Sequence, residues 1–295
     1  MISLKRIIRS LSDERWTIGF IRNSVEQILD GEEIIVDWVL DKNKKRWFAD
    51  PFILDVDEKE IIVLAEEVNK HYKLGKKGRI SRLTIDRDTL IIKNVCPILE
   101  LDTHLSFPAI YRIKGHIFIC PENSESGQLK LYRYDDNKKS CSFEKIICND
   151  PLADAVMTEY FGKQLIFATK IQDANGPKLY IYAKGDNNSL FEVKESYKFN
   201  ENIARMAGHF FEFNGKIYRP TQECNIQYGH AITIQEIRKE ETWHFYEVRR
   251  IYSTHPKLTV GTHTFNVYNN FIVTDALGFD RIWIRKILKL FHLLK

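Results

Sequence analysis

One pattern recurs five times along this chain: an apolar strand, a tight polar turn, and a second apolar strand ending in a polar residue. The copies occupy residues 51–65, 108–120, 156–168, 210–218 and 265–274, and Pro108-Ala-Ile-Tyr-Arg-Ile-Lys-Gly-His-Ile-Phe-Ile-Cys120 is representative. Lys114-Gly115, Asn214-Gly215 and Asn269-Asn270 tolerate the positive φ of a two-residue hairpin turn, so each copy predicts a β-hairpin. Turn centres near residues 58, 114, 162, 214 and 269 lie about 50 residues apart, room for four strands and the blade length of a β-propeller. Two stacked β-sandwiches would show the same alternation but give no reason for such a period.

Further strands are expected in register. Third strands fall at 79–85, 129–134, 178–183, 231–237 and 281–285, and fourth strands at 90–95, 143–148, 190–194 and 245–251. The fifth blade runs out of chain. Ile34 to Leu40 is expected to supply its outer strand, joining the two ends, because an open ring would leave a sheet edge exposed. The fold class is therefore all-β: a five-bladed β-propeller over 34–284, preceded by an N-terminal amphipathic segment and lead-in at 1–33 and followed by a basic amphipathic tail at 285–295. Short terminal helices are expected because Leu4, Ile7, Ile8 and Leu11 share one helical face, as do Ile284, Ile287, Leu288, Phe291 and Leu294.

The formal net charge of +4 is unevenly spread. Lys5, Arg6 and Arg9 in residues 1–11 and Arg281, Arg285, Lys286, Lys289 and Lys295 in residues 281–295 stand without any acid, which leaves the body between them at −4. A body of that sign makes no nucleic-acid partner, since phosphate binding needs a clustered positive field. The tails are expected to meet an anionic membrane surface. No run approaches the roughly 20 apolar residues of a spanning helix, and residues 1–11 lack the unbroken apolar stretch of a signal peptide. Cys96, Cys120, Cys141, Cys148 and Cys224 form no Cys-x-x-Cys pair, which argues against zinc and against a disulfide framework. A cytoplasmic protein, peripheral to the inner membrane, is the expectation.

In a propeller the first strand of each blade lines the central channel. The residues that begin it, and those that end the second strand, gather at one mouth. Here the first strands are entered through Phe48-Ala-Asp-Pro-Phe52, His104-Leu-Ser-Phe-Pro108, Ala153-Asp-Ala-Val156, Ala204-Arg-Met-Ala-Gly208 and Gly261-Thr-His-Thr-Phe265. The second strands end at Glu66, Glu122, Thr169, Gln222 and Asp275. Asp50, Glu66, Glu122 and Asp154 are the candidate catalytic carboxylates, because paired carboxyls with pKa values pushed apart can serve as acid and base around a glycosidic bond. His104 and His263 could donate to hydroxyls or to a phosphate, and Arg205 and Arg219 offer planar forks for a carboxylate or phosphate. Ser106, Gln222, Tyr228 and Asp275 complete the candidate substrate-binding set. A structural role competes at each position: an Asp before Pro caps turns, and Arg219 could pair with a blade carboxylate. No metal or other cofactor is expected. Gly75, Gly78 and Gly127 sit in turn contexts rather than in a phosphate-cradling loop followed by a helix.

At these same positions the sequence resembles a known family. Trp47-Phe-Ala-Asp-Pro-Phe52, His104-Leu-Ser-Phe-Pro108, Pro121-Glu122, Ala204-Arg205-Met-Ala-Gly208, Tyr218-Arg-Pro-Thr-Gln222, Tyr228-Gly229 and Gly261-Thr-His-Thr-Phe-Asn266 look like the N-terminal domain of plant glucosamine inositolphosphorylceramide transferase and its bacterial stand-alone relatives. The resemblance runs from about Trp16 to Asp275. It implies a five-bladed propeller similar to arabinanase and xylosidase glycoside hydrolases, in a bacterial setting of surface polysaccharide assembly. It also implies that Asp50 corresponds to the general-base Asp of those hydrolases, with Glu122 and Asp154 the counterparts, by blade, of their acid and pKa-tuning carboxylates.

Three functions follow as expectations. The first is an enzyme of surface-polysaccharide or glycolipid synthesis that transfers a sugar from an activated donor such as a nucleotide-sugar. Asp50 would be its base, Glu66 or Glu122 its second carboxylate, and Arg205 and Arg219 the donor-phosphate ligands. The others are a non-catalytic glycan-binding propeller and an inverting glycoside hydrolase.

Overall fold

The computed structural model describes residues 14–43, 45–69, 77–185 and 190–279, with Ile284 and Leu290 alone beyond them, both helical. The terminal amphipathic segments otherwise lie outside the described residues. Among the described residues, twenty strands form five four-stranded antiparallel sheets, the five blades of a β-propeller. Blade one is β3 (Arg46–Val56), β4 (Glu60–Asn69), β5 (Gly78–Asp86) and β6 (Ile92–Leu99). Blade two is β7 (Ser106–Ile113), β8 (His116–Glu122), β9 (Leu129–Asp135) and β10 (Ser140–Cys148). Blade three is β11 (Leu152–Thr158), β12 (Leu165–Lys170), β13 (Lys178–Lys184) and β14 (Phe191–Lys198). Blade four is β15 (Phe211–Phe213), β16 (Lys216–Glu223), β17 (Ala231–Lys239) and β18 (Trp243–Tyr252).

Blade five joins the two ends of the chain. Its order is β19 (Phe265–Tyr268), β20 (Phe271–Phe279), β1 (Glu14–Ile21) and β2 (Val36–Trp38). The outer strand falls within the expected Ile34 to Leu40. The third strand does not come from Arg281 to Arg285, which apart from Ile284 lies outside the described residues. Its place is taken by Glu14–Ile21, read from the sequence as part of the lead-in, so the ring begins at Glu14 rather than at 34. The physical reason is plain alternation: Trp16, Ile18 and Phe20 are all buried, a period of two that suits a half-buried strand. The β1–β20 ladder runs from Glu14↔Phe279 to Ile21↔Ile272.

The turns obey the sequence. Lys114 and Gly115 have φ of 50° and 77°, and Asn214 and Gly215 have 50° and 73°, both residues of each turn being left-handed as a type I′ turn requires. The cores lie between neighbouring sheets. Phe52 of blade one meets Phe107 of blade two edge-on at 5.0 Å, and Phe167 of blade three meets Phe210 at 4.9 Å and Trp243 at 5.2 Å on the blade-four side. Ile18, Val63 and Val273 are packed in one buried cluster across the closing seam.

Candidate functional site

In the first three blades the innermost strand breaks register near its mouth end, between Ala49 and Phe52, Ser106 and Ala109, and Ala153 and Val156. Each break leaves one residue in left-handed backbone: Asp50 (φ 52°), Phe107 (φ 45°) and Asp154 (φ 44°). Non-glycine residues pay a steric cost there, and such bulges re-aim side chains. The freed N–H of each bulge is taken by a carboxylate one blade back. Asp50 N donates to Asp275 Oδ2 at 3.3 Å, Phe107 N to Asp50 Oδ2 at 3.0 Å, and Asp154 N to Glu122 Oε2 at 3.2 Å. Blades one, two, three and five are thus tied together at the mouth by their acidic residues.

Two clusters result. In the first, His263 Nδ1 lies 2.7 Å from Asp275 Oδ2 and 3.5 Å from Asp50 Oδ1. Asp275 Oδ1 also accepts the backbone N–H of His263 at 2.9 Å and of Thr264 at 3.2 Å, while the Thr264 hydroxyl donates to Asp50 Oδ1 at 3.1 Å. Burial pushes Asp50 up to about 7, although the His263 charge opposes the shift. Burial also works against the His263 charge, but Asp275 and Asp50 outweigh it and raise the imidazole to about 9. Asp275 moves the other way. Burial raises it, yet His263 and the hydrogen bonds it accepts hold it below the usual carboxylate range. Asp50, His263 and Asp275 offer atoms within 4.8 Å of one another, a spacing that would suit a cation. At neutral pH the imidazolium of His263 is itself that cation, and the cluster reads as a hydrogen-bonded ion pair beside a titrating acid.

In the second cluster, Arg205 Nε donates to Asp154 Oδ2 at 2.6 Å, Nη2 to Glu122 Oε2 at 3.3 Å, and Nη1 to Asn175 Oδ1 at 2.9 Å. Gln222 Nε2 donates to the same Asp154 oxygen at 2.6 Å. Burial and the neighbouring Asp154 charge push Glu122 up to about 8, against the pull of Arg205. With all three guanidinium nitrogens engaged inside the protein, Arg205 positions carboxylates; that differs from the donor-phosphate role expected of it. Tyr228 joins the clusters: its ring lies 4.8 Å from the Arg205 guanidinium and 5.3 Å from the His263 ring.

His104 and Glu66 form a third, shallower pair, with Nε2 3.2 Å from Oε1, and the Gly78 N–H fixes the tautomer by donating to His104 Nδ1 at 2.9 Å. Burial lowers the His104 pKa, but Glu66, Glu122 and Glu125 overcome this and raise it. Ser106 is buried opposite Glu122 in the β7–β8 ladder. The structure therefore gathers Asp50, Glu66, Glu122, Asp154, His104, Ser106, Arg205, Gln222, Tyr228, His263 and Asp275 at one mouth.

Arg219 is the exception. It lies three positions from Gln222 on the regularly paired β16, hence on the opposite face. Its guanidinium is fully buried, donates to Gln235 Oε1 at 2.7 Å and to the Ala204 carbonyl, and sits 5.5 Å from the Phe199 ring and 5.6 Å from the Phe245 ring. It is a fold residue with no carboxylate partner among the described residues, and burial pulls its pKa below the usual guanidinium range.

Trp16, which motif reading did not select, stacks on His263 with ring centroids 3.9 Å apart and 27° between planes. Thr264 was quoted within a motif but not chosen, and its hydroxyl proves to hold Asp50. The signal for Trp16 lay in the alternation of 14–21, not in any motif.

The chain is 28% identical over 143 residues to glucosamine inositolphosphorylceramide transferase 1 of Oryza sativa subsp. indica, and 30% identical over 154 residues to that of Arabidopsis thaliana. The matches cover 46% and 47% of this chain but only 19% of each plant protein. Among solved structures, a family 117 glycoside hydrolase of the marine bacterium Zobellia galactanivorans superimposes with a TM-score of 0.50 at 13% identity, over 89% of this chain and 90% of that one, a likeness of fold. The family model describing the N-terminal region of glucosamine inositolphosphorylceramide transferase 1 matches residues 39–271, and the chain belongs to that family.

Proposed function

We propose that the protein is a carbohydrate-active enzyme of surface-polysaccharide or glycolipid assembly, transferring a sugar from an activated donor to an acceptor hydroxyl. One observation carries this. Two buried carboxyls on adjacent blades, Asp50 and Glu122, are set to about 7 and about 8, each backed by an ion pair, His263–Asp275 and Arg205–Asp154. Near neutral pH one is substantially ionised and the other mostly protonated, which is the division of labour that acid–base chemistry at an anomeric carbon needs.

In the proposed reaction the acceptor oxygen attacks the anomeric carbon and its proton passes to Asp50. The bond to the leaving group breaks, and the departing oxygen takes the Glu122 proton. Arg205 and Gln222 hold Asp154 beside the acid, and its charge helps to keep the Glu122 proton in place. Tyr228 is positioned to offer a ring face to the sugar. The family takes its name from a glucosamine inositolphosphorylceramide transferase, which supports the reading of transfer. With water as acceptor the same pair would hydrolyse.

A cytoplasmic setting at the inner leaflet belongs to this proposal. It is supported by the eight tail bases of the sequence, each worth about 1 kcal/mol near an anionic surface.

The test is to incubate purified protein with nucleotide-sugars and with aryl glycosides, measuring transfer, hydrolysis and glycan binding for the wild type, Asp50→Asn and Glu122→Gln. Loss of product with glycan binding retained supports catalysis. Turnover by Asp50→Asn at the wild-type rate removes Asp50 from the chemistry, and a wild type that binds glycan but makes no product sinks the enzyme reading in favour of a binding module.

A further inference from the structure

A groove of about 960 Å³ follows the seam where the ring closes, between blades five and one. Its floor is apolar, contributed by Ile18, Val39, Phe48, Ile92 and Leu258. Around it stand Arg15, Lys42, Arg46 and Lys257, with Asp41 the single acid among the described lining residues. Arg46 is engaged by Asp41 at 3.2 Å and by Glu67 at 3.8 Å. Lys42 and Lys257 are exposed, with no carboxylate within ion-pair distance among the described residues, and Leu40 at the groove's edge is 57% exposed. The local field is positive enough to register on another lining residue: burial, together with the charges of Lys257 and Arg15, holds His255 below its ordinary pKa.

One end of the groove reaches the mouth, while Leu40, Ile91 and Ile92 line its far end. Lys42 and Lys257 sit on the loops that enter β3 and β19, both of which arrive at the mouth. Trp16 lines the groove and also stacks on His263 of the candidate site. Glu14 and Phe279, the first and last residues of the ladder, are paired at the groove's end. A body of charge −4 should be repelled by anionic lipid everywhere except at such a cationic patch.

We propose that this seam is the surface on which the protein rests against an anionic phospholipid bilayer, with Lys42 and Lys257 among the headgroups, the exposed Leu40 facing the acyl boundary, and the mouth end of the seam held at lipid level. This rests on the membrane-face part of the functional reading and not on the chemistry of Asp50 and Glu122.

Full-length protein is floated with vesicles of phosphatidylcholine, with and without phosphatidylglycerol. The wild type should bind only the anionic vesicles. Lys42→Gln combined with Lys257→Gln should weaken that binding about 25-fold at low salt, about fivefold per lysine, and leave turnover of a soluble substrate unchanged. Undiminished flotation of the double variant, or failure of the wild type to bind anionic vesicles, overturns the proposal. The former result would return the groove to the chain's own tail or to a protein partner. Inactivity of Asp50→Asn does not bear on these outcomes, so docking and chemistry fail separately.

Discussion

Burial has moved Asp50 and Glu122 into the neutral range, while the His263 imidazole beside Asp50 and the Arg205 guanidinium beside Glu122 stay charged. The rate of the proposed reaction should therefore follow a narrow bell: kcat/KM rises as Asp50 ionises near 7 and falls as Glu122 loses its proton near 8. Asp50→Asn should lower kcat/KM by about 100- to 10,000-fold, and Glu122→Gln by a similar factor with the alkaline limb abolished. A pH–rate profile of the two variants checks both. Arg219→Met should instead cost about 3 kcal/mol or more in urea unfolding, because Gln235 and the Ala204 carbonyl lose their donor, and leave the pH profile of the folded enzyme unmoved. The acidic and histidine positions were legible because polar letters recur where a propeller funnels its strands. Arg219 shares that stretch of sequence with Gln222, and only the phase of alternation separates a channel residue from a core one. That phase depends on the ladder, which composition does not reveal.

Among the elements, the hairpins could be read directly because Lys-Gly and Asn-Gly turns and period-two strands are local. The closing strand could not, since β1 and its partner β20 stand at opposite ends of the sequence and no turn connects them. Nor could the bulges. Left-handed Asp50, Phe107 and Asp154 are over-determined by carboxylates from the preceding blade, a contact between repeats rather than within one. Two substitutions test the importance of β1. Trp16→Ala should destabilise the fold by about 3–5 kcal/mol and shift the His263-dependent titration, while Trp16→Phe should keep most of both. At Gly19 an added methyl would lie 2.4 Å from Val36 Cγ1 and 2.7 Å from Trp38 Cε3, so Gly19→Ala should loosen the outer strand at a cost of about 1–3 kcal/mol, seen as a lowered urea midpoint.

For the whole molecule, Asp50, Glu122 and His263 at the mouth have folded pKa values well above their ordinary ones. Each binds its proton more tightly in the folded state, so its stabilising contribution is complete at low pH and fades as pH rises through the folded value. Asp275 acts oppositely, but its contribution fades only below the usual carboxylate range. The melting temperature should therefore fall between about pH 5 and about pH 9, and Glu122→Gln should flatten that decline, as thermal unfolding across the range would show. The ring has one more consequence. Because Glu14 and Phe279 are neighbours in a ladder, the closed toroid leaves and re-enters the polypeptide at a single point, like a bead threaded on a string. A unit with that geometry can be spliced into a longer enzyme without spreading the flanking chain. The same adjacency should let a short linker join the old ends and new ones be opened at a hairpin turn within a blade, such as Lys114-Gly115 or Asn214-Gly215.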